Sequence, residues 1–264
     1  MLRRKRVILI FIVSGALLWA VFYLRGKYVA PILMYHCVIP NADSANRIAV
    51  TDKAFERQMR FLRERNYNLL PLEELAGYIL RKEKIPPRSI AVTFDDGYKD
   101  NYIYAFPVLK KYRIPVTIFI ILDDVGLPHK LNWQEIKEMQ DSGLVVFGSH
   151  ALGSEPLINI KSSQQLRREI FDSKKILQER LGCEAGIFSY PEGRFNREIR
   201  NLAIEAGYKI AVATNPGRDY ANDDIFALKR LRIAASSDNL FIFWLEASGY
   251  YSFLREWKHQ YRNK

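Results

Sequence analysis

With 264 residues, 48% of them hydrophobic and 13% aromatic, the chain has enough apolar surface for one large domain, or one domain with an anchor, and is not globally disordered. Its formal net charge of +11 would suit a nucleic-acid binder, but the basic residues are dense only at Arg3–Arg6 and beyond Leu254, with no zinc-finger or RNA-binding spacing beside them. A membrane surface or an anionic envelope polymer accounts for that charge equally well, and no nucleic-acid partner is expected.

The first element is a basic stub, RRKR, followed by an uncharged apolar run from Val7 to Leu24. A bilayer-spanning helix needs about 20 such residues, whereas a signal-peptide core has about 7–15 and ends at small residues. This run ends in FYLRGK, so an uncleaved anchor is expected. The stub would be cytoplasmic and the remainder extracytoplasmic. Secretion after signal cleavage is the alternative. The domain reading is therefore 1–27 stub and anchor, 28–240 a soluble domain, and 241–264 a basic aromatic tail.

Beyond Lys27, strand-like runs alternate with amphipathic segments. The runs are PILMYH (31–36), SIAVTF (89–94), PVTIFII (115–121), LVVFGS (144–149), GIFSY (186–190), YKIAVAT (208–214) and ALKRLRI (227–233). Most are continuous and rich in Val and Ile, as in parallel strands buried on both faces. Between them, Asp52 is expected to cap KAFERQMRFLRERN, with Phe55, Met59, Phe61 and Leu62 on one face. Helical patterns recur in PLEELAGYIL, NYIYAFPVLKKY, NWQEIKEMQDSG, SSQQLRREIFDSKKILQERLG and NREIRNLAIEAG. This alternation implies a parallel α/β protein with its site at the carboxyl ends of the strands. No G-x-G-x-x-G or phosphate loop follows the first strand, so a barrel of about seven strands is favoured over a nucleotide-binding sheet.

The residues just past the strands are therefore the informative ones: His36 and Cys37, Asp95 to Gly97, His150, Pro191 to Gly193, and Asn215 to Gly217. Two adjacent aspartates after a buried strand need compensation for their charge, which a metal ion supplies. On an extended backbone they point apart, so one can bind the metal while the other faces a water as base. The competing reading is an Asp-Asp-Gly turn with Asp96 capping a helix near Lys99. His150 is either a ligand or a histidine that packs. The proline and glycine of SYPEGRFN can turn backbone N–H groups toward a substrate oxygen, as an oxyanion hole requires; an ordinary loop is the alternative. Cys37 and Cys183 are too few for a disulfide framework and either form one bridge or stay free.

Taken together, PILMYHCV, AVTFDDGY, NWQEIKEMQDSGLVVFGSH, FSYPEGRFN and ALKRLRI resemble, in order and spacing, the polysaccharide deacetylase family (carbohydrate esterase family 4, with the nodulation-deacetylase homology domain), from about Pro31 to Ile233. The branch it looks closest to contains the envelope and biofilm poly-N-acetylglucosamine deacetylases. The resemblance implies a distorted (β/α) barrel and hydrolytic removal of N-acetyl groups from an N-acetylated polysaccharide or peptidoglycan glycan, with a divalent metal, zinc above all. It makes Asp95 the general base, Asp96 and His150 metal ligands, and the Glu192 N–H, after Pro191, an oxyanion donor. Tyr190 and Gly193 would shape the groove, and His36 would line the site. Ser154 stands where the family's second metal histidine is usual, with Glu155 beside it as a possible oxygen ligand. Glu192 replaces a common aromatic, and the late leucine–histidine motif has no counterpart, since His259 lies in the tail. A catalytically impaired glycan-binding or assembly protein is the alternative that Ser154 raises.

Overall fold

The computed structural model describes residues 28–42, 46–214 and 223–251, with Gly15, Trp19 and Tyr23. The expected anchor, apart from those three residues, lies outside the described residues, as do Asn215–Gly217 and the tail beyond Tyr251. Among the described residues no helix is long and apolar enough to cross a membrane.

Every expected strand run forms. β1 (Ile32–Tyr35) leads to two short segments, β2 (Cys37–Ile39) and β3 (Ala49–Thr51), that pair in parallel with each other. β4 (Asn68–Leu69) pairs with the start of β5 (Ser89–Phe94). Then come β6 (Val116–Ile120), β7 (Val145–Ser149), β8 (Ile187–Ser189), β9 (Ile210–Ala213), β10 (Leu228–Lys229) and β11 (Leu231–Arg232). The order is β10-β9-β8-β7-β6-β5-β1-β11, parallel throughout. Every residue of β5 and β6 is buried, the condition that makes such runs continuously apolar.

The last expected run is split in two, which gives eight strands where about seven were expected. β10 pairs with β9 and β11 with β1, and only Arg230 stands between them. Its N–H donates to Ala213 O at 3.0 Å, and the Ile233 N–H donates to Met34 O at 2.9 Å. One extended segment thus bridges the two edges of the sheet and nearly closes a barrel.

Helices cover the outside of the ring. α1 (Asp52–Glu64) is capped by Thr51 and not by Asp52: Thr51 is extended and its hydroxyl accepts from Ala54 N at 3.1 Å. Asp52 sits instead in the first turn, where a negative charge suits the helix dipole. α2 spans Leu72–Leu80, and α3 (Phe106–Tyr112) follows a widened turn at Asn101–Ala105, next to Pro107, whose missing N–H breaks the helical ladder. α4 (Trp133–Asp141) starts with a capping box of Asn132 and Glu135, α5 (Ser163–Leu181) with Ser162, and α6 (Arg197–Glu205) with Asn196. α5 ends on Gly182 in the left-handed region, φ 68°.

α7 (Leu240–Glu246) starts at the last residue of the 28–240 domain reading and runs into the stretch read as a tail, and it packs against the barrel through Phe243. Its last residue, Glu246, is 6% exposed. Nearby, Tyr35 donates to Gln58 at 2.8 Å and Gln58 to Ser237 O at 2.8 Å. Burial raises the Glu246 pKa from 4.5 to about 7, partly offset by Ser237. Because the folded value lies above the unfolded one, the fold favours the protonated acid. Stability is therefore fully present below about pH 4.5 and declines as pH rises toward 7. Glu246→Gln is expected to stabilise the protein by about 2–3 kcal/mol at pH 8 and by much less at pH 5. Urea unfolding at both pH values checks this; an equal effect at both would refute it.

Candidate active site

The strand ends meet at one rim. β5 delivers Asp95, 3% exposed, whose N–H donates to Tyr35 O at 3.0 Å. The next residue, Asp96, is left-handed at φ 68°, and Lys130 Nζ donates to its carbonyl at 2.9 Å. β7 delivers His150, whose N–H donates to Ile120 O at 2.9 Å. Its Nδ1 meets Ser189 O at 2.8 Å; a carbonyl can only accept, so Nδ1 carries the hydrogen and Nε2 faces the carboxylates. Nε2 lies 3.5 Å from Asp96 Oδ1 and 4.0 Å from Asp95 Oδ2. The left-handed turn is what lets two sequence neighbours reach one histidine nitrogen, where an extended backbone would part them.

Ala151 (φ 68°) and Glu192 (φ 57°) are left-handed as well. The ends of β5, β7 and β8 thus each carry a non-glycine residue in a conformation costing about 1–3 kcal/mol.

Arg230, which sequence reasoning missed, is the partner of Asp95. Its Nη1 and Nη2 donate to Asp95 Oδ1 and Oδ2 at 2.6 and 2.7 Å. Nη2 also donates to Ser189 Oγ at 2.9 Å and Nη1 to Thr93 Oγ1 at 3.3 Å. Burial by itself would push the Asp95 pKa up; the Arg230 guanidinium, aided by His150 and His36, outweighs it and holds the carboxyl at about 2. Asp95 is therefore ionised and fixed in orientation at any ordinary pH. A signal for Arg230 did exist: an arginine inside a run otherwise fit for a buried strand needs a buried carboxylate.

A cleft of about 390 Å³ opens here, lined by His36, Asp95, Asp96, His150, Ser154, Pro191 and Glu192, with Ile48, Ile121, Thr214 and Arg232 completing its walls. His36 is 8% exposed, burial lowers its pKa, and Asn101 Nδ2 donates to its carbonyl at 2.7 Å. Glu155 is exposed and not part of the wall. Tyr190 is wholly buried beneath the loop, stacked on Phe195 at 4.2 Å with its hydroxyl donating to Phe226 O at 3.1 Å. Gly193 has φ 67°, and a Cβ there would collide with Thr214 N, so the loop lies tight on β9. The Gly193 and Arg194 N–H groups donate to Tyr190 O and Pro191 O at 2.7 and 3.2 Å. Pro191 has no N–H, and the Glu192 N–H takes part in neither of those two bonds. Cys37 and Cys183 are both free.

Among the described residues, no group of three or more His, Cys, Asp and Glu side chains could hold a metal ion. What the site has is a pair. Two donors sharing a tetrahedral ion at about 2.1 Å stand about 3.4 Å apart, and Asp96 Oδ1 and His150 Nε2 stand 3.5 Å apart. Carboxylate oxygens converging on a ring nitrogen call for a cation between them, a proton or a metal. The pair fits two positions of a divalent-metal shell, with the Ser154 hydroxyl, water or substrate left for the rest.

The polysaccharide deacetylase family model matches residues 82–211. Among curated proteins, Bacillus subtilis (strain 168) YxkH, assigned by name to the polysaccharide deacetylases, is 37% identical over 204 residues, 77% of this chain and 71% of its own. The poly-β-1,6-N-acetyl-D-glucosamine N-deacetylase of Staphylococcus aureus (strain MRSA252) is 29% identical over 198 residues, 70% of this chain and 68% of its own. The solved structure of the Streptococcus pyogenes deacetylase PplD in complex with acetate superposes with a TM-score of 0.72 at 29% identity, covering 81% of this chain and 97% of that one. The chain belongs to the polysaccharide deacetylase family, whose members are hydrolases.

Arg230→Met leaves Asp95 a buried, uncompensated charge and is expected to cost about 3–5 kcal/mol in urea unfolding. Adding Asp95→Asn removes that charge, so the double variant is expected to lose clearly less than the sum of the two single losses. Additive losses would show that the two side chains do not act as a pair.

Proposed function

We propose that this protein hydrolyses N-acetyl groups from an N-acetylglucosamine-containing polysaccharide of the cell envelope, in the cleft around Asp95, Asp96 and His150. The observation that carries the proposal is the convergence of those three side chains within 4.0 Å, with Asp95 locked by Arg230 and His150 by Ser189. The Staphylococcus aureus relative, whose name states poly-β-1,6-N-acetyl-D-glucosamine as its substrate, supports this substrate class; peptidoglycan glycan is the other polymer of that chemistry. The apolar run at residues 7–24 supports an anchored, extracytoplasmic enzyme.

Asp96 and His150 would hold a divalent metal, zinc being the ion that suits such a donor pair. When bound, such an ion polarises the acetamide carbonyl and lowers the pKa of a water toward about 7. Asp95, ionised beside it, takes the proton from the attacking water. The Glu192 N–H, set by its left-handed backbone, donates to the carbonyl oxygen as negative charge develops there. The C–N bond then breaks, the sugar amine leaves with the proton that Asp95 took from the water, and acetate departs. Tyr190 and Gly193 support the loop that carries this donor, and His36 and Ser154 form wall.

Ser154 favours a second reading, a glycan-binding or assembly protein that no longer turns over, because the site has two metal-binding side chains where three are usual. Metal content and acetate release from N-acetylglucosamine oligomers separate the two. The full chain is expected to release acetate in a chelator-sensitive manner. Asp95→Asn is expected to lose about 10²–10⁴-fold in rate, and Ser154→His to gain about 10–100-fold in metal affinity. Wild type that binds no metal and releases no acetate, while Ser154→His does both, would overturn the enzyme reading in favour of the second.

A further inference from the structure

At the opposite end of the barrel, α7 reads Leu-Phe-Ile-Phe-Trp-Leu-Glu, and a helix this apolar on every side has more surface than one core contact can cover. Phe243 and Glu246 point in, while Phe241 is 67%, Trp244 44% and Ile242 38% exposed. Two adjoining grooves, of about 710 and 720 Å³, share Tyr67, Arg88 and Trp244. Their cations are Arg65, Lys84 and Arg88; their acid, Glu64, is 3.9 Å from Arg60. Tyr67 and Arg88 immediately precede β4 and β5, so this face marks the amino ends of the strands, away from the cleft at their carboxyl ends.

The chain also enters and leaves here. Tyr28 and Tyr250 line the first groove and meet edge-on at 5.9 Å, and the Val29 N–H donates to Gly249 O at 3.0 Å. In sequence, Tyr28 follows Arg25 and Lys27, and residues 252–264 carry Phe253, Trp257 and Tyr261 among Arg255, Lys258, Arg262 and Lys264, with one acid, Glu256. Three residues, Arg25, Gly26 and Lys27, lie between Leu24 and Tyr28, and the four steps from one to the other reach about 14 Å at full extension. An apolar run seated in a bilayer therefore holds this face within that distance of the headgroups.

We infer that the amino-terminal face of the barrel docks on an anionic phospholipid surface, with Phe241, Ile242 and Trp244 at the headgroup boundary and Arg65, Lys84 and Arg88 on the phosphates. Aromatic rings interleaved with lysine and arginine are the composition of membrane interfaces. Each basic residue near such a surface adds about 1 kcal/mol. A protein partner would more naturally offer carboxylates to so basic a face and would not account for Tyr28 and Tyr250, which lead into the apolar run and the basic aromatic tail in sequence, meeting there. Docking this way turns the cleft away from the bilayer, toward polymer. The inference does not rest on the deacetylase reading.

Amide hydrogen exchange of the full chain tests it, in vesicles of phosphatidylcholine alone, in vesicles with added phosphatidylglycerol, and in neutral detergent. Residues 240–248 and 84–88 are expected to exchange more slowly on the anionic vesicles than on the other two, while residues 95–97 and 150–154 do not change. The double variant Phe241→Asp/Trp244→Asp is expected to lose that protection. Unchanged exchange at β5 would show it folded, and unchanged acetate release from soluble oligomers would place the loss outside the cleft. Arg65→Glu/Arg88→Glu is expected to lose only the preference for anionic lipid. Equal exchange in all three media would overturn the inference. So would protection that depends on protein concentration, the mark of a second copy, or protection in detergent that vanishes when residues 252–264 are deleted, the mark of the chain's own tail.

Discussion

The bidentate pairing of Arg230 with Asp95 is the interaction on which the site depends. Both side chains are buried, and moving either charge out of water alone costs several kcal/mol. Together they offset that cost only because the geometry is close: two bonds between them, with Ser189 and Thr93 taking the remaining guanidinium hydrogens on that side. The pairing also ties elements together. Ser189 receives Arg230 through its hydroxyl and orients His150 through its carbonyl, so one residue of β8 couples the pair to the histidine that faces Asp96.

The barrel supplies what this arrangement costs locally. Asp96, Ala151 and Glu192 occupy left-handed backbone without being glycine, each at the end of a different strand. Loops on a flexible scaffold would relax out of such conformations. Here the flanking strands are buried on both faces and held in register, so the turns stay where the ladder puts them.

How much of this was readable from the residues follows the same physics. The strand runs were legible because burial on both faces demands unbroken Val and Ile, and the helices because their apolar residues recur at helical spacing, although the cap expected at Asp52 is Thr51. The rim was legible by implication, since alternation fixes which strand ends share a side. What escaped notice depends on contacts far apart in sequence. In ALKRLRI the three basic residues look alike, and only the fold tells Arg230, which points inward, from Arg232, which lines the cleft. The family resemblance implied that Tyr190 would shape the groove, yet its ring lies in the core beneath. The convergence of Asp95 and Asp96 on one nitrogen depends on a backbone φ that their identities do not dictate.

Closing the ring with the last strand also has a temporal side. Leu231 pairs with Leu33 across nearly the whole length of the barrel's sequence. A ribosome therefore finishes Asp95, Asp96 and His150 long before it makes the guanidinium that neutralises the first of them. A nascent or truncated chain ending at β9 owns every acid and imidazole of the site but lacks the guanidinium that pairs with Asp95. Such a chain has a water-seeking carboxylate where the core should be, and the open edges of β1 and β9 beside it. The charge balance of the site and completion of the barrel thus arrive in one step, with the last strand.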